Sequence, residues 1–282
     1  MLAYLSANTI DDALKALADE NTAIVAGATD WFPGLGLGPA PQKVLDITGI
    51  SELCGVSRTA QGWRIGATTR WCDVIAADLP ANFDGLKAAA NEVGSVQIQN
   101  TATVAGNICN ASPAADGIPP LLALDCQVEI ISTTGTRLQP LAEFITGVRS
   151  TTLQPGELVS ALIVPDHQKS VGSSFLKLGS RKYLVISIVM VSAVIGLDQT
   201  GRIDFARVTV GACSPIAQCL VQLQEDLIGM TLSSLENQHL ISKDHLAPLS
   251  PIDDTRGSAA FRLDVVSQLC QRAIIAAANG AG

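Results

Sequence analysis

Residues 183–197, YLVISIVMVSAVIGL, run for fifteen positions without a charge. The run falls short of the roughly 18 residues a membrane-spanning helix needs, and its Val and Ile content favours extended backbone. It therefore reads as a buried strand. Partners flank it: SSFLKLG (173–179) lies before it, and RIDFARVTVGA (202–212) follows across the turn DQTG (198–201). Together they predict an antiparallel sheet, with helical segments near 216–228, 231–240 and 255–278 covering one face.

The first half reads differently. Thr9 and Asp12 are spaced like a capping box ahead of Ala13, Leu14, Leu17 and Ala18 at helical spacing. TAIVAG predicts a strand that runs into GATDWFPGLGLGPAPQ (27–42), where four glycines and three prolines argue against regular structure and for a long functional loop. KVLDI, LCGVSRT and GWRIGA read as short strands, TTRWCDVIAAD and FDGLKAAANEVG as helices. CQVEIIS, a hairpin turn at Thr134-Gly135, a short helix at LAEFITG and the strand ELVSALIVP complete the half. PDHQKSVG (165–172) is the candidate linker. The mixture without strict βαβ alternation indicates an α+β fold, and the absence of GxGxxG disfavours a doubly wound nucleotide fold.

IVAGATD (24–30) and TVAGNICNASPAAD (103–116) share one design: an apolar start, a polar loop of small residues, and a closing aspartate. Such loops let backbone N–H groups turn inward on an anion, as a phosphate nest requires. Thr29, Thr103, Asn107, Asn110 and Ser112 add short hydrogen-bonding side chains, and Asp116 can accept from a sugar hydroxyl or orient its own loop. Structural readings stand beside these. Gly27 can simply end a strand, Asp30 cap a turn, Ser112 and Asp116 cap the following helix, and Asn107 or Asn110 sit at positive φ. FLKLGSRKY (175–183) holds Lys177, Arg181 and Lys182, which read either as an ordinary solvated edge strand or as cations near a ligand. Trp31 and Tyr183 can stack on a planar group or pack against protein.

Composition narrows the classes further. Eighteen Lys and Arg against 26 Asp and Glu give a net charge of −8 with no basic run, which disfavours nucleic-acid and polybasic membrane surfaces. No secretory signal opens the chain. Seven cysteines without CxxC spacing, and three histidines apart from them, indicate reduced thiols in the cytoplasm and no metal site. Neither a carboxylate acid–base pair nor a GxSxG elbow is evident, so no residue is nominated as catalytic.

AIVAGATDWFP, QIQNTATVAGNICNASPAADGIPPLLALD, ELVSALIVP and FLKLGSRKYLVISIV occur in this order at family intervals. In this the chain resembles the FAD-binding medium subunit of the molybdenum hydroxylases, the xanthine dehydrogenase and carbon monoxide dehydrogenase group, over nearly its whole length. The resemblance implies an FAD-binding domain over 1–168, of the vanillyl-alcohol-oxidase/muramate-reductase type, with subdomains of about 1–54 and 55–168 and FAD extended between them. It implies a C-terminal flavoprotein domain over 169–282. It further implies that Ala26, Gly27, Ala28, Thr29 and Asp30, with Thr103, Ala105, Gly106 and Asn107, contact the pyrophosphate, and that Asn110 and Asp116 complete the pocket. Lys177, Leu158 and Val159 would lie near the flavin, Ile24 and Val25 would line the wall, and Trp31 would lie beside them.

Many relatives read Gly-Gly where this chain has Gly27-Ala28 and Ala105-Gly106, and often carry Arg where it has Gln99. Alanine is compatible if Ala28 and Ala105 keep negative φ, which is the expectation here. Charge neutralisation would then rest on backbone dipoles with help from Lys177. The implied function is electron transfer: FAD takes electrons from iron–sulfur clusters on a small partner chain, downstream of a molybdenum-pterin large subunit, in a dimer of heterotrimers. The alternatives are a nucleotide-binding or regulatory module that has lost redox function, and a stand-alone flavin oxidase.

Overall fold

The computed structural model describes residues 3–19, 21–35, 43–167, 171–237 and 240–281. Two compact units are distinguished: one comprises 1–77, 96–111 and 126–165, the other 78–95, 112–125 and 166–282.

The first unit contains β1 (Ala3–Ser6), α1 (Ile10–Leu17), β2 (Thr22–Val25), α2 (Trp31–Gly34), β3 (Lys43–Asp46), β4 (Val56–Thr59), β5 (Gly62–Gly66) and α3 (Trp71–Ala76). The second unit then takes α4 (Asp84–Glu92), the first resumes with α5 (Val96–Gln99) and α6 (Val104–Asn110), and α7 (Ile118–Ala123) again belongs to the second. β6 (Gln127–Ser132), β7 (Gly135–Pro140), α8 (Leu141–Phe144), β8 (Ile145–Gly147), β9 (Ser150–Thr151) and β10 (Leu158–Val164) complete the first. The rest of the second is β11 (Val171–Leu178), β12 (Val189–Leu197), β13 (Ile203–Gly211), β14 (Gln218–Cys219), α9 (Val221–Leu227), α10 (Leu232–Asn237) and α11 (Ala259–Asn279).

In the first unit β1, β3 and β2 form a small parallel sheet with β3 central, and β4-β5-β10-β6-β7 form an antiparallel one. Thr9 caps α1 by accepting from the Asp12 N–H, which is one half of the capping box the spacing suggests, and its hydroxyl donates to Asp12 Oδ2. Ala13 and Leu17 of α1 bury against Leu45, Ile47, Ile50, Leu53 and Leu158. The Thr134-Gly135 hairpin joins β6 to β7 with Ser132 opposite Gly135. The loop from Gly27 contains one helical turn, α2, where irregular structure was expected, while the 36–42 part of that expectation lies outside the described residues.

In the second unit β11-β12-β13-β14 form the antiparallel sheet that the apolar run required. The run is strand only from Val189, however: Tyr183, Leu184 and Ile186 are exposed, and Leu184 takes φ +55°. Burial explains the difference. Every residue of β12 from Val189 to Gly196 is buried, and burial continues back only to Ser187 and Ile188, whereas Tyr183, Leu184 and Ile186 are exposed. Alternate residues Val189, Val191, Ala193 and Ile195 join the core formed with α11, while Met190 turns the other way to Ala89 of α4 and Phe175. Helices thus cover both faces rather than one, and α4 and α7 are supplied from earlier in the chain.

Candidate functional site

β2 ends at Val25, and residues 26–30 lead from it to α2 at Trp31. A Cβ on Gly27 would lie 2.1 Å from the Thr101 carbonyl oxygen and 2.8 Å from the Ala102 Cα, so only glycine fits against that backbone. Its missing side chain is therefore accounted for by the protein itself. Ala28 follows at φ +54°, in the left-handed region. The expectation of negative φ at both alanines thus holds only for Ala105, inside α6. An L-residue loses roughly 1–2 kcal/mol at such a φ, which the rest of the turn must offset. Ala28→Gly is expected to raise the unfolding free energy by about 0.5 kcal/mol, the relief being partly offset by unfolded-state entropy. Ala28→Val should lower it by about 1–2 kcal/mol, and urea titrations of both variants would check the opposite signs. The N–H groups of Gly27, Ala28, Thr29 and Asp30 find no acceptor among the described residues.

The second motif is a helix rather than a loop from Val104 to Asn110. Val104, Ala105 and Ile108 bury one face, and this burial overrides the low helix propensity of Gly106, Asn107 and Asn110. Thr103 caps it. Its hydroxyl accepts from the Gly106 N–H and its carbonyl from the Asn107 N–H, while the Val104 N–H donates to Thr69. Asn107 Oδ1 is buried and receives no hydrogen bond among the described residues. α6 ends at Ala111, φ +46°, so neither asparagine takes the left-handed position.

Three polar groups link the two motifs. Asn110 Nδ2 donates to Asp30 Oδ2 at 2.6 Å, and the Arg149 guanidinium donates to Asn110 Oδ1. Asp30 therefore binds Asn110 and does not cap α2 with its side chain. Arg149 was not singled out from sequence. The one available signal was its place in the turn of GVRST, a short β8–β9 hairpin. Trp31, half-buried, meets Phe32 edge-on at 4.9 Å between ring centroids. Val25, Leu158 and Val159 are buried, and Ile24 and Ala26 pack partly buried against the core cluster containing Leu158.

Asp116 and Lys177 lie in the second unit. Lys177 Nζ is 2.7 Å from Asp116 Oδ2 and 3.4 Å from the Glu92 carbonyl, and the Ser187 hydroxyl donates to Asp116 Oδ1 at 2.5 Å. Only 5% of the Lys177 side chain and 9% of the Asp116 side chain are exposed. Lys177 is thus no solvated edge residue: its charge is matched internally, and Asp116 does not cap α7. Burial pushes the Asp116 carboxyl above its ordinary range, opposed by the Lys177 charge and by hydrogen bonds from Lys177 and Ser187. Tyr183, by contrast, is exposed, with Lys182 Nζ 5.1 Å from its ring centroid.

Chemically, the first unit presents backbone donors at 27–30 without acceptors among the described residues, and the second a buried ion pair of no net charge. Among the described residues no group of three or more His, Cys, Asp or Glu could hold a metal ion, and no helix is long and apolar enough to cross a membrane.

Residues 1–167 match the family described as the FAD binding domain in molybdopterin dehydrogenase, and residues 174–277 the CO dehydrogenase flavoprotein C-terminal domain. The xanthine dehydrogenase FAD-binding subunit of Escherichia coli O157:H7 is 31% identical, the alignment covering 99% of this chain and 97% of that one. The 6-hydroxypseudooxynicotine dehydrogenase complex subunit alpha of Paenarthrobacter nicotinovorans is 30% identical over 99% of this chain and 95% of its own length. In fold, the chain is similar to a chain in the structure of carbon monoxide dehydrogenase from Hydrogenophaga pseudoflava, with a TM-score of 0.92 at 23% identity, covering 100% and 98% of the two chains. These matches define a class, the FAD-dependent oxidoreductase components of molybdenum-containing dehydrogenases. Within it, the chain belongs to the FAD-binding medium subunits of the molybdenum hydroxylase family, and FAD is its cofactor.

Proposed function

We propose that this chain is the electron-transfer relay of a heteromeric molybdenum hydroxylase, taking electrons from iron–sulfur clusters on a small subunit and passing them from FAD to an external acceptor. A molybdenum-pterin large subunit completes the complex, as a dimer of heterotrimers in the cytoplasm. The domain division is 1–168 and 169–282. The observation that carries the reading is the run of unpaired N–H groups at 27–30 on a chain of this family. An acidic chain can hold a pyrophosphate in this way, through backbone dipoles.

FAD, when bound, supplies the redox chemistry. The chain's own residues bind and orient it. The N–H groups of Gly27 to Asp30 would donate to its phosphate oxygens, with the Thr29 and Thr103 hydroxyls as further donors. Asn107 Oδ1, buried without a partner, accepts a donor from the cofactor. Ile24, Val25, Leu158 and Val159 exclude water through their apolar side chains. Asp116, held by Lys177 and Ser187, presents its remaining lone pairs to a sugar or ribityl hydroxyl. No side chain is assigned a proton-transfer step.

The test is a visible spectrum of the purified chain before and after dithionite, with the cofactor released and chromatographed. Flavin bands that bleach, FAD on release, and co-purification with molybdenum- and iron-containing chains support the relay. A chain that binds FAD but neither co-purifies with such chains nor exchanges electrons with them would sink it.

A further inference from the structure

Arg149 occupies the left-handed position of the two-residue turn between β8 and β9, at φ +57°. Glycine would sit there without strain, and an arginine loses roughly 1–2 kcal/mol by comparison. A strained residue persists where its side chain is used. Here the guanidinium donates to the Asn110 side-chain oxygen and reaches the Asn110 carbonyl at 3.5 Å, while the Arg149 N–H donates to the Ala111 carbonyl. Asn110 in turn gives its amide N–H to Asp30 at 2.6 Å. The result is a cation–amide–anion relay in which the Asn110 amide is held at both ends.

We propose that Arg149 is a positioning residue for the cofactor, fixing Asn110 so that it latches the Ala26–Asp30 turn to the C-terminal end of α6. The inference rests on the reading that these two motifs hold FAD. Two considerations separate it from a simple stability role. Asp30 and Arg149, the two charged ends, are exposed while Asn110 is half-buried, and exposed charges contribute little to folding. The hairpin is also docked on α6 through the Arg149 backbone, which any side chain preserves. The relay's effect is therefore on the order of the turn bearing the unpaired N–H groups, the part that must be preorganised for an anion.

The experiment uses the full chain with FAD removed and added back. Arg149→Gly, Asn110→Ala, the double variant and Arg149→Lys are compared by FAD dissociation constant, visible circular dichroism of the bound flavin, and the melting temperature of the cofactor-free chain. Arg149→Gly is expected to weaken FAD about tenfold and alter the dichroism while the cofactor-free melting temperature holds or rises. Arg149→Lys, which restores the cation, should recover part of the affinity. The double variant should bind no worse than Asn110→Ala alone. FAD affinity within twofold of wild type in Arg149→Gly, or fully additive losses in the double variant, overturns the proposal. Thr103→Val and Ala28→Val serve as references: if they too leave FAD binding untouched, the failure lies with the loop assignment itself, and if they weaken it, with Arg149 alone.

Discussion

Lys177→Met should cost about 3–5 kcal/mol of stability at neutral pH, because it strands the Asp116 carboxylate in a site where that side chain is only 9% exposed. Ser187 still donates to one oxygen, but nothing replaces the ammonium at 2.7 Å. The loss should also acquire a pH dependence whose sign follows from linkage. Burial already raises the folded-state pKa of Asp116, and removing Lys177 raises it further above the unfolded value of about 3.9. The destabilisation is complete above the folded-state pKa and fades as pH falls through it toward the unfolded one, because the proton removes the buried charge. Replacing both partners, Lys177→Met with Asp116→Leu, should recover most of the stability, since a paired charge exchanged for apolar volume is close to neutral. Urea titrations at pH 7 and pH 4.5 read all of this. A single variant as stable as wild type, or equally weakened at both pH values, would contradict the buried pair. If Asp116 and Lys177 also serve FAD, the double variant folds but binds the cofactor poorly.

Gly27→Ala carries the second large effect. The added methyl would meet Thr101 and Ala102 backbone at 2.1–2.8 Å, and backbone cannot swing aside as a side-chain tip can. The turn must move instead, at about 1–3 kcal/mol for overpacking. A shifted turn carries the 27–30 N–H groups off their target, so FAD affinity should fall as well, about tenfold for each 1.4 kcal/mol of binding lost. Gly34→Ala is the matched control, because its added carbon meets nothing within 4 Å. Isothermal titration of FAD into both variants decides: equal affinities would mean that the turn does not touch the cofactor.

How far the sequence could be read follows from which forces are local. Capping at Thr9, the Thr134-Gly135 hairpin and the extended backbone of β12 are set by near neighbours, and each appears in the structure as read. The opposite faces of β12 explain why helices from before the linker were needed. That pairing is a contact between distant segments which no window of sequence displays. Glycine content pointed at 103–116 as a loop, yet Val104, Ala105 and Ile108 found a buried face and made it a helix. Ala28 could not be judged from its identity alone, because an alanine reads as negative φ and the structure puts it at φ +54° beside Gly27, which lies against the Thr101 backbone. The Asp30–Asn110–Arg149 relay joins residues 80 and 39 positions apart, and the partner of Lys177 lies 61 positions away. Charge and residue type suggested that these groups mattered, but not to which neighbour each would turn.

The passage of the chain back and forth between the two units, at 77/78, 95/96, 111/112, 125/126 and 165/166, bears on biosynthesis. α4 and α7 leave the ribosome carrying buried-face residues such as Leu86, Ala89 and Leu121, but the strands they cover are not complete until Gly211. At about 5–20 residues per second, those apolar faces wait on the order of ten seconds for their sheet. The first unit meanwhile closes only when β10 arrives, at Val164. A nascent chain halted near residue 168 would therefore hold two helices with no sheet to cover, exposed to chaperones and to one another.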